Sequence, residues 1–417
     1  MRSQIQPQKR EQPFIIRLLK YSGPALIVSV AYMDPGNYGT DLAGGARFNY
    51  DLLWLVWLAS LMAMLFQYLS GKFGIATGRD LAEQIRLSLG NRRKYTIPYW
   101  LASEVAIAST DLAEYLGTVL ALNILFGVPL LIGSLFGAFD VLIILAVSSR
   151  RFRVVESLFA LWVSIIGLGF LYELFIAGAN PSQILVHSIY PDVNSQTILV
   201  GVGIIGATVM PHAVYVHSWL TKNKLNNGFN ADRKELMKLH LAETAILLGV
   251  AALVNVAIMV LAASVFYPNY SHVQSVTEAY HILRPLFGPV AATIFGVTLL
   301  ASGLSSSITG TLSGQAVMEG LLGAKFNPIL RRLVTRFINV IPTTLAILLG
   351  YQPLQLLVYS QVVLSLMLPL PMLPLVIFTS RRSMMGEFTN GKLLSYLSYL
   401  SAITILVLNG YLLYTII

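Results

Sequence analysis

Apolar residues run along this chain in blocks of about twenty, each long enough to cross the ~30 Å hydrocarbon core of a bilayer as an α-helix. Short polar stretches divide the blocks. The pattern predicts eleven helical spans, at roughly 21–47, 51–71, 97–125, 128–148, 153–178, 197–221, 239–267, 286–322, 330–350, 354–379 and 393–416. The loops are too short for a second soluble unit, so the chain reads as a single all-α polytopic membrane domain. The last span, "LLSYLSYLSAITILVLNGYLLYTII", carries no charge and is expected at the periphery.

Two blocks are interrupted. In the first, "VAYMDPGNYGT" (residues 30–40) sets Asp34, Pro35, Gly36 and Asn37 inside an otherwise apolar run. An acid at the bilayer centre costs about 2.5–3.5 kcal/mol even on the lenient insertion scale. Proline and glycine give up helical backbone bonds that lipid does not replace. In the sixth, "IIGATVMPHAVYVHS" (residues 204–218) places Pro211 between Met210 and His212. A lone proline kink is ordinary in a membrane helix. Two breaks with ligand-type side chains, each in the first helix of a five-helix set, point to an inverted-repeat transporter whose site lies where the breaks meet. The repeats are about 21–178 and 197–380, preceded by a cytoplasmic tail, 1–20, and followed by a peripheral helix, 393–417.

Composition supports a membrane class: 56% of residues are hydrophobic and 11% charged, against about 25% charged in soluble domains. The net charge of +9 would suit a nucleic-acid binder if it formed a patch. It does not. Of the 28 lysines and arginines, all but Arg47 and Arg284 fall on one side of the eleven spans. Such a bias marks the cytoplasmic face, and it sets the N-terminus inside and Ile417 outside. The absence of cysteine excludes disulfides, thiolate metal sites and cysteine nucleophiles. No cleavable signal peptide is visible in the basic first twenty residues. Short loops and no cysteine fit a bacterial inner membrane.

The breaks offer a mixed ligand set. Asp34 gives a hard anionic oxygen, Asn37 an amide oxygen, the stretch before Met210 a freed carbonyl, that of Ala207, and Met210 a soft thioether. Calcium or magnesium would want oxygen only. A thioether beside oxygen ligands suits Mn²⁺, Fe²⁺, Co²⁺ and the softer Cd²⁺. Span 3 adds Glu104, Asp111 and Glu114, which share roughly one helix face. Three carboxylates so placed need partners or protons. Arg331, Arg332 and Arg336 open span 9 and are candidate partners, while His212 brings an imidazole, the side chain whose ordinary pKa lies nearest neutral pH. A row of acids with a histidine is the usual form of a membrane proton relay; the bland alternative is a salt-bridge cluster that fixes helix packing.

Other polar residues carry weaker expectations. His217 is read as a structural hydrogen-bonding residue, and His187 and His240 as lying at span margins or in loops. Glu243 and Asp140 are polar contacts or cavity liners. The "SGLSSSITGTLSG" run in span 8 supplies small residues for close helix approach.

From 21 to about 380 the chain resembles the Nramp family of proton-coupled divalent transition-metal transporters. The resemblance rests on "DPGNYGTDLAGGARFNYDLLW", "GIATGRDLAE", "TDLAEYLGTVLALNILFG", "GATVMPHAVYVHS", "ASGLSSSITGTLSGQAVMEG" and "YSQVVLSLMLPLPMLPLVIFTS". It implies a LeuT-type fold of two inverted five-helix repeats, with helices 1 and 6 broken. It implies that Asp34, Asn37 and Met210 carry metal with side chains, Ala207 with its carbonyl, and that Gln361 joins in an occluded state. It assigns proton movement toward the cytoplasm to the span 3 acids and His212. Ala213, Leu304 and Met367 depart from the family's usual asparagine and glutamines, positions that bear on fine selectivity and coupling. Met210 argues against the magnesium-transporting branch.

The expected function is import of Mn²⁺ first and Fe²⁺ second, with Cd²⁺ and Co²⁺, in symport with H⁺ by alternating access. The metal is cargo, so no cofactor is expected, and no protein partner or nucleic acid. The rivals are an amino-acid or sodium-coupled symporter of the same architecture, an intramembrane metal-dependent enzyme, for which no H-E-x-x-H run occurs, and a passive channel.

Overall fold

The computed structural model describes residues 13–21, 23–136, 152–191, 195–226, 232–273, 275–324 and 327–416. The first half begins with α1 (Phe14–Tyr21), α2 (Pro24–Ala31) and α3 (Pro35–Phe48), followed by α4 (Leu53–Thr77), α5 (Leu81–Ser88) and α6 (Arg93–Phe126). It ends with α7 (Leu130–Phe136), α8 (Phe152–Ile176) and α9 (Pro181–Ile189). The second half holds α10 (Ile198–Val209), α11 (Pro211–Asn226), α12 (Arg233–Phe266), α13 (Val276–Leu322) and α14 (Pro328–Leu348). It closes with α15 (Pro353–Met367), α16 (Pro369–Thr379), the single turn α17 (Arg382–Met385) and α18 (Lys392–Ile416).

Among the described residues, eight helical stretches are long and apolar enough to cross a membrane; α10–α11 and α15–α16 each count as one. They account for spans 2, 3, 5, 6, 7, 8, 10 and 11 of the sequence pattern. Span 1 falls short of that length because it is two helices, α2 and α3. Span 9 is α14, whose apolar part is Leu333–Leu348. Most of span 4, with Asp140, lies outside the described residues. The helix of span 8 starts earlier than its apolar run: α13 extends back to Val276 and turns at Gly288, whose φ of 85° favours glycine.

Both expected breaks are present, and their cause is local. Pro35 has no N–H for the carbonyl of Ala31, four residues back. The N–H groups of Tyr32, Met33 and Asp34 instead reach back three residues, to Ser29, Val30 and Ala31, at 3.2, 3.1 and 3.1 Å. The last turn of α2 thus tightens and ends. Asp34 restarts the chain as the N-cap of α3, accepting the Asn37 N–H at 2.8 Å. In span 6 the hinge is Met210 itself, which takes φ 53°. A left-handed residue with a side chain costs roughly 1–3 kcal/mol and persists only where its surroundings hold it.

The broken spans lie at the centre. α10 packs on α3 and α15, α11 on α4 and α13, and α12 covers α3 and α4. α6 and α13 pair along much of their length, with α14 on the outer side of α6. α18 is the least enclosed of the long spans, as its even apolarity suggests. The short helices α5 and α9 are not legible as spans; each is held at its start by a side-chain cap, Asp80 and Asn180 respectively.

Candidate metal centre

Pro211 explains the freed carbonyl. It stands four residues after Ala207 and has no N–H to give, so the Ala207 oxygen is left without its helical partner. Asn37 fills the gap: its side-chain Nδ2 donates to Ala207 O at 3.1 Å and to Asp34 Oδ1 at 2.9 Å. One amide therefore joins the two breaks. Its own oxygen, Oδ1, accepts from the Thr208 hydroxyl at 3.1 Å and from Asn255 Nδ2 at 3.2 Å. A carbonyl accepts only, and so does an ionised carboxylate, so the amide nitrogen must be the atom that faces them.

Met210 forms the hinge of this junction and Gln361 reaches it from α15. Met210 and Gln361 are fully buried and Asp34 is 1% exposed. The Gln361 side chain lies against Gly36, where any Cβ would overlap its amide, and its backbone carbonyl lies against Gly206, which a Cβ would strike. The two glycines let α15 close onto both breaks. Two oxygens here, Asp34 Oδ2 and Gln361 Oε1, are buried and have no hydrogen-bond partner among the described residues. A buried oxygen left bare needs a reason, and a bound cation between the two breaks is one.

The acid row lies on unbroken helix. Glu104 is paired: Arg331 Nη2 approaches its Oε2 at 2.7 Å and Trp100 Nε1 donates to its Oε1 at 2.9 Å. Asp111 and Glu114 are buried against Gly310 of α13, and the Arg331 guanidinium lies over Gly314. The small-residue run of span 8 therefore makes the groove in which the acids and the arginine pack. His212 Nδ1 is 3.0 Å from the Thr110 hydroxyl on α6, and Asp111 is within electrostatic reach of both His212 and Glu104. The side chains of Arg332 and Arg336 lie outside the described residues.

His217 is held by Gln67 Oε1 at 2.9 Å and stands edge-on to His240, with ring centroids 4.9 Å apart. The expectation for His240 is corrected: it is fully buried within α12, stacked on Tyr68 and pressed against Gly71. Its place at the polar end of an apolar block concealed the lateral contacts. His187 sits on the short helix α9, 3.5 Å from Asp51.

Thr208 and Asn255 escaped the sequence reading, although Asn255 is the single amide within "ALVNVAIMV" and signals a buried contact. Asp41 and Glu173 also escaped it. Both are buried, and their carboxylate oxygens have no hydrogen-bond partner among the described residues. Asp41 lies two turns past Asp34 on α3, the same helix face as Asn37.

The chain has recognisable relatives among known proteins. The family described as natural resistance-associated macrophage protein-like, Nramp, matches residues 25–415. The chain is 42% identical, over 396 residues, to a divalent metal cation transporter MntH of Verminephrobacter eiseniae, covering 94% of this chain and 88% of that one. Among solved structures it resembles the Eremococcus coleocola manganese transporter, at 31% identity and a TM-score of 0.84, covering 97% of this chain and 87% of that one. MhsT, solved in complex with L-phenylalanine, shares the fold at 13% identity and a TM-score of 0.62, covering 94% of this chain and 98% of that one.

Proposed function

The chain belongs to the Nramp family, and we propose that it imports divalent transition metal, Mn²⁺ first and Fe²⁺ second, in symport with protons. It is a multi-pass membrane transporter of LeuT-type fold. The observation that carries the substrate assignment is the junction of the breaks: Asp34 Oδ2 and Gln361 Oε1 stand bare near the Ala207 carbonyl and the Asn37 amide, with Met210 at the hinge three residues on. Oxygen with one soft sulfur favours a borderline transition metal over Mg²⁺ or Ca²⁺. Cd²⁺ and Co²⁺ fit the same set.

Binding follows from what Asn37 now does. Its NH₂ group occupies the point where Asp34 Oδ1 and Ala207 O converge. A cation there displaces that group, and the amide turns to present Oδ1 instead. Thr208 permits the turn, because a hydroxyl either donates or accepts, and Asn255 permits it because its amide carries both functions. The metal offsets the buried charge of Asp34, which supports uptake from water into mid-membrane.

Transport proceeds by alternating access, with α2 and α11 moving to open the cytoplasmic side. A polar cavity of about 550 Å³, lined by Asp80, Glu83, Arg86, Lys222, Gln315 and Glu319, lies at that end and forms the exit. The orientation, with the N-terminus inside a bacterial inner membrane, rests on the distribution of basic residues. His212, Thr110, Asp111, Glu114, Glu104 and Arg331 supply the proton route beside the metal. The metal leaves with each cycle, so it is cargo; the protein makes and breaks no covalent bond and needs no resident cofactor or protein partner.

The amino-acid symporter reading fits less well. Such a substrate docks its carboxylate on the free N-terminus of a broken half-helix. Here Asp34 already caps that N-terminus with its own carboxylate. Mn²⁺ uptake by Asp34→Ala and Met210→Ala variants tests the assignment: both must lose uptake, and normal uptake in both refutes the site.

A further inference from the structure

Glu243, on α12, is buried and lies outside the metal centre and the acid row. Its Oε1 accepts the Gly23 N–H at 2.7 Å and the Ala25 N–H at 3.1 Å, and the Leu26 N–H is also directed at the carboxylate. These are the groups a helix N-terminus leaves without partners. Pro24 has no N–H, and from Ile27 onward the backbone bonds run within the helix, beginning with Ile27 N to Gly23 O at 2.9 Å. Gly23 brings no side chain of its own to the cap. The inner half of the first broken helix is thus capped by a carboxylate from another span, 218–220 residues away in sequence.

A second contact meets it there. Lys224, near the end of α11, lies 4.6 Å from the ring centroid of Tyr21, just before α2, and within electrostatic reach of Glu243. The far ends of both inner half-helices, α2 and α11, therefore come together beside Glu243. Further along, neutral bonds tie α2 and the turn after it to α13: Thr309 Oγ1 to Ile27 O at 3.1 Å, and the Ser302 hydroxyl to Met33 O.

We propose that Glu243 is the latch of the inner gate: it holds the start of α2 against α12, and opening of the cytoplasmic side requires this cap to be released. The inference rests on the alternating-access reading, and it makes Glu243 a positioning residue that never touches the metal. A charge-assisted bond at the tip of α2 acts with the longest lever on the movement of that helix.

The chain contains no cysteine, so a single introduced thiol is an unambiguous reporter. Ser29, on α2, is 1% exposed and nearly isosteric with cysteine. In inside-out vesicles carrying the S29C chain, an impermeant maleimide reads how often the inner gate opens. Adding Glu243→Ala should raise the cytoplasmic labelling rate by a factor on the order of 5–30. Glu243→Gln, which keeps one acceptor oxygen, should fall between. Arg17→Ala, which removes the partly exposed Arg17–Glu235 pair at 2.8 Å between α1 and α12, should change little. Unchanged labelling in both Glu243 variants overturns the latch, as does labelling that rises equally from both faces. Mn²⁺ uptake by the S29C parent is measured in parallel and tests the transport reading by itself, since the labelling rates need no transport.

Discussion

Two of the regions in which the molecule buries carboxylates treat them in opposite ways. At the junction of the broken helices, Asp34 caps a half-helix with one oxygen and leaves the other bare. On unbroken α6, Glu104 is enclosed by Arg331 and Trp100, and its neighbours lie in a groove made by glycines of α13. Both sites contain buried acid. The difference is what the backbone does around it. Breaking the helix frees a carbonyl, at Ala207, and brings carbonyl, amide and carboxylate oxygens to one point, which a multivalent cation can occupy. Keeping the helix intact leaves the acids only side-chain partners, which suits groups that exchange a proton and return.

The comparison is broken most severely at Asp34. Asp34→Asn should weaken Cd²⁺ binding, measured by calorimetry, by about 100-fold, on the order of 3 kcal/mol. Glu104→Gln should leave the same binding within about twofold, because its partners are protein groups. Equal losses in the two would erase the distinction. Next comes Gly206→Ala, whose Cβ meets the Gln361 carbonyl. Neither backbone can yield without parting α10 from α15, so metal uptake should fall by roughly tenfold or more, at about 1–3 kcal/mol of overpacking.

Met210→Ala should cost both uptake and selectivity. Uptake of Mn²⁺ should fall, and block by Mg²⁺ should strengthen by about tenfold, since the remaining ligands are all oxygen. Unaltered Mg²⁺ block would remove the thioether from the account. The smallest effect on metal belongs to Glu104→Gln in the uptake assay: Mn²⁺ entry persists, while acidification of the lumen drops. Acidification equal to the parent's would make the Glu104–Arg331 pair a packing device.

The two regions also differed in how far the sequence disclosed them. Pro35 and Pro211 announce the breaks, and counting four residues back from Pro211 gives the Ala207 carbonyl without coordinates. Asp34 and Asn37 follow from being polar within an apolar block. The hidden part is lateral. Nothing in the local pattern says that Asn255 of α12 and Thr208 would hold the Asn37 amide, that Thr110 would reach His212, or that Gly36 and Gly206 would receive Gln361. His240 shows the same limit: a polar residue near the end of an apolar block reads as a margin, yet it is enclosed by Tyr68, Gly71 and His217. Periodicity reports which residues avoid water. It does not report which helix they meet.

The central claim is that the cation site and the acid row are separate devices coupled in one cycle. Mn²⁺ uptake into proteoliposomes, with Mg²⁺ and Ca²⁺ in large excess and internal pH read at the same time, tests it most directly. The account predicts uptake that resists both competitors and acidifies the lumen. Uptake abolished by Mg²⁺, or unaccompanied by acidification, would contradict it.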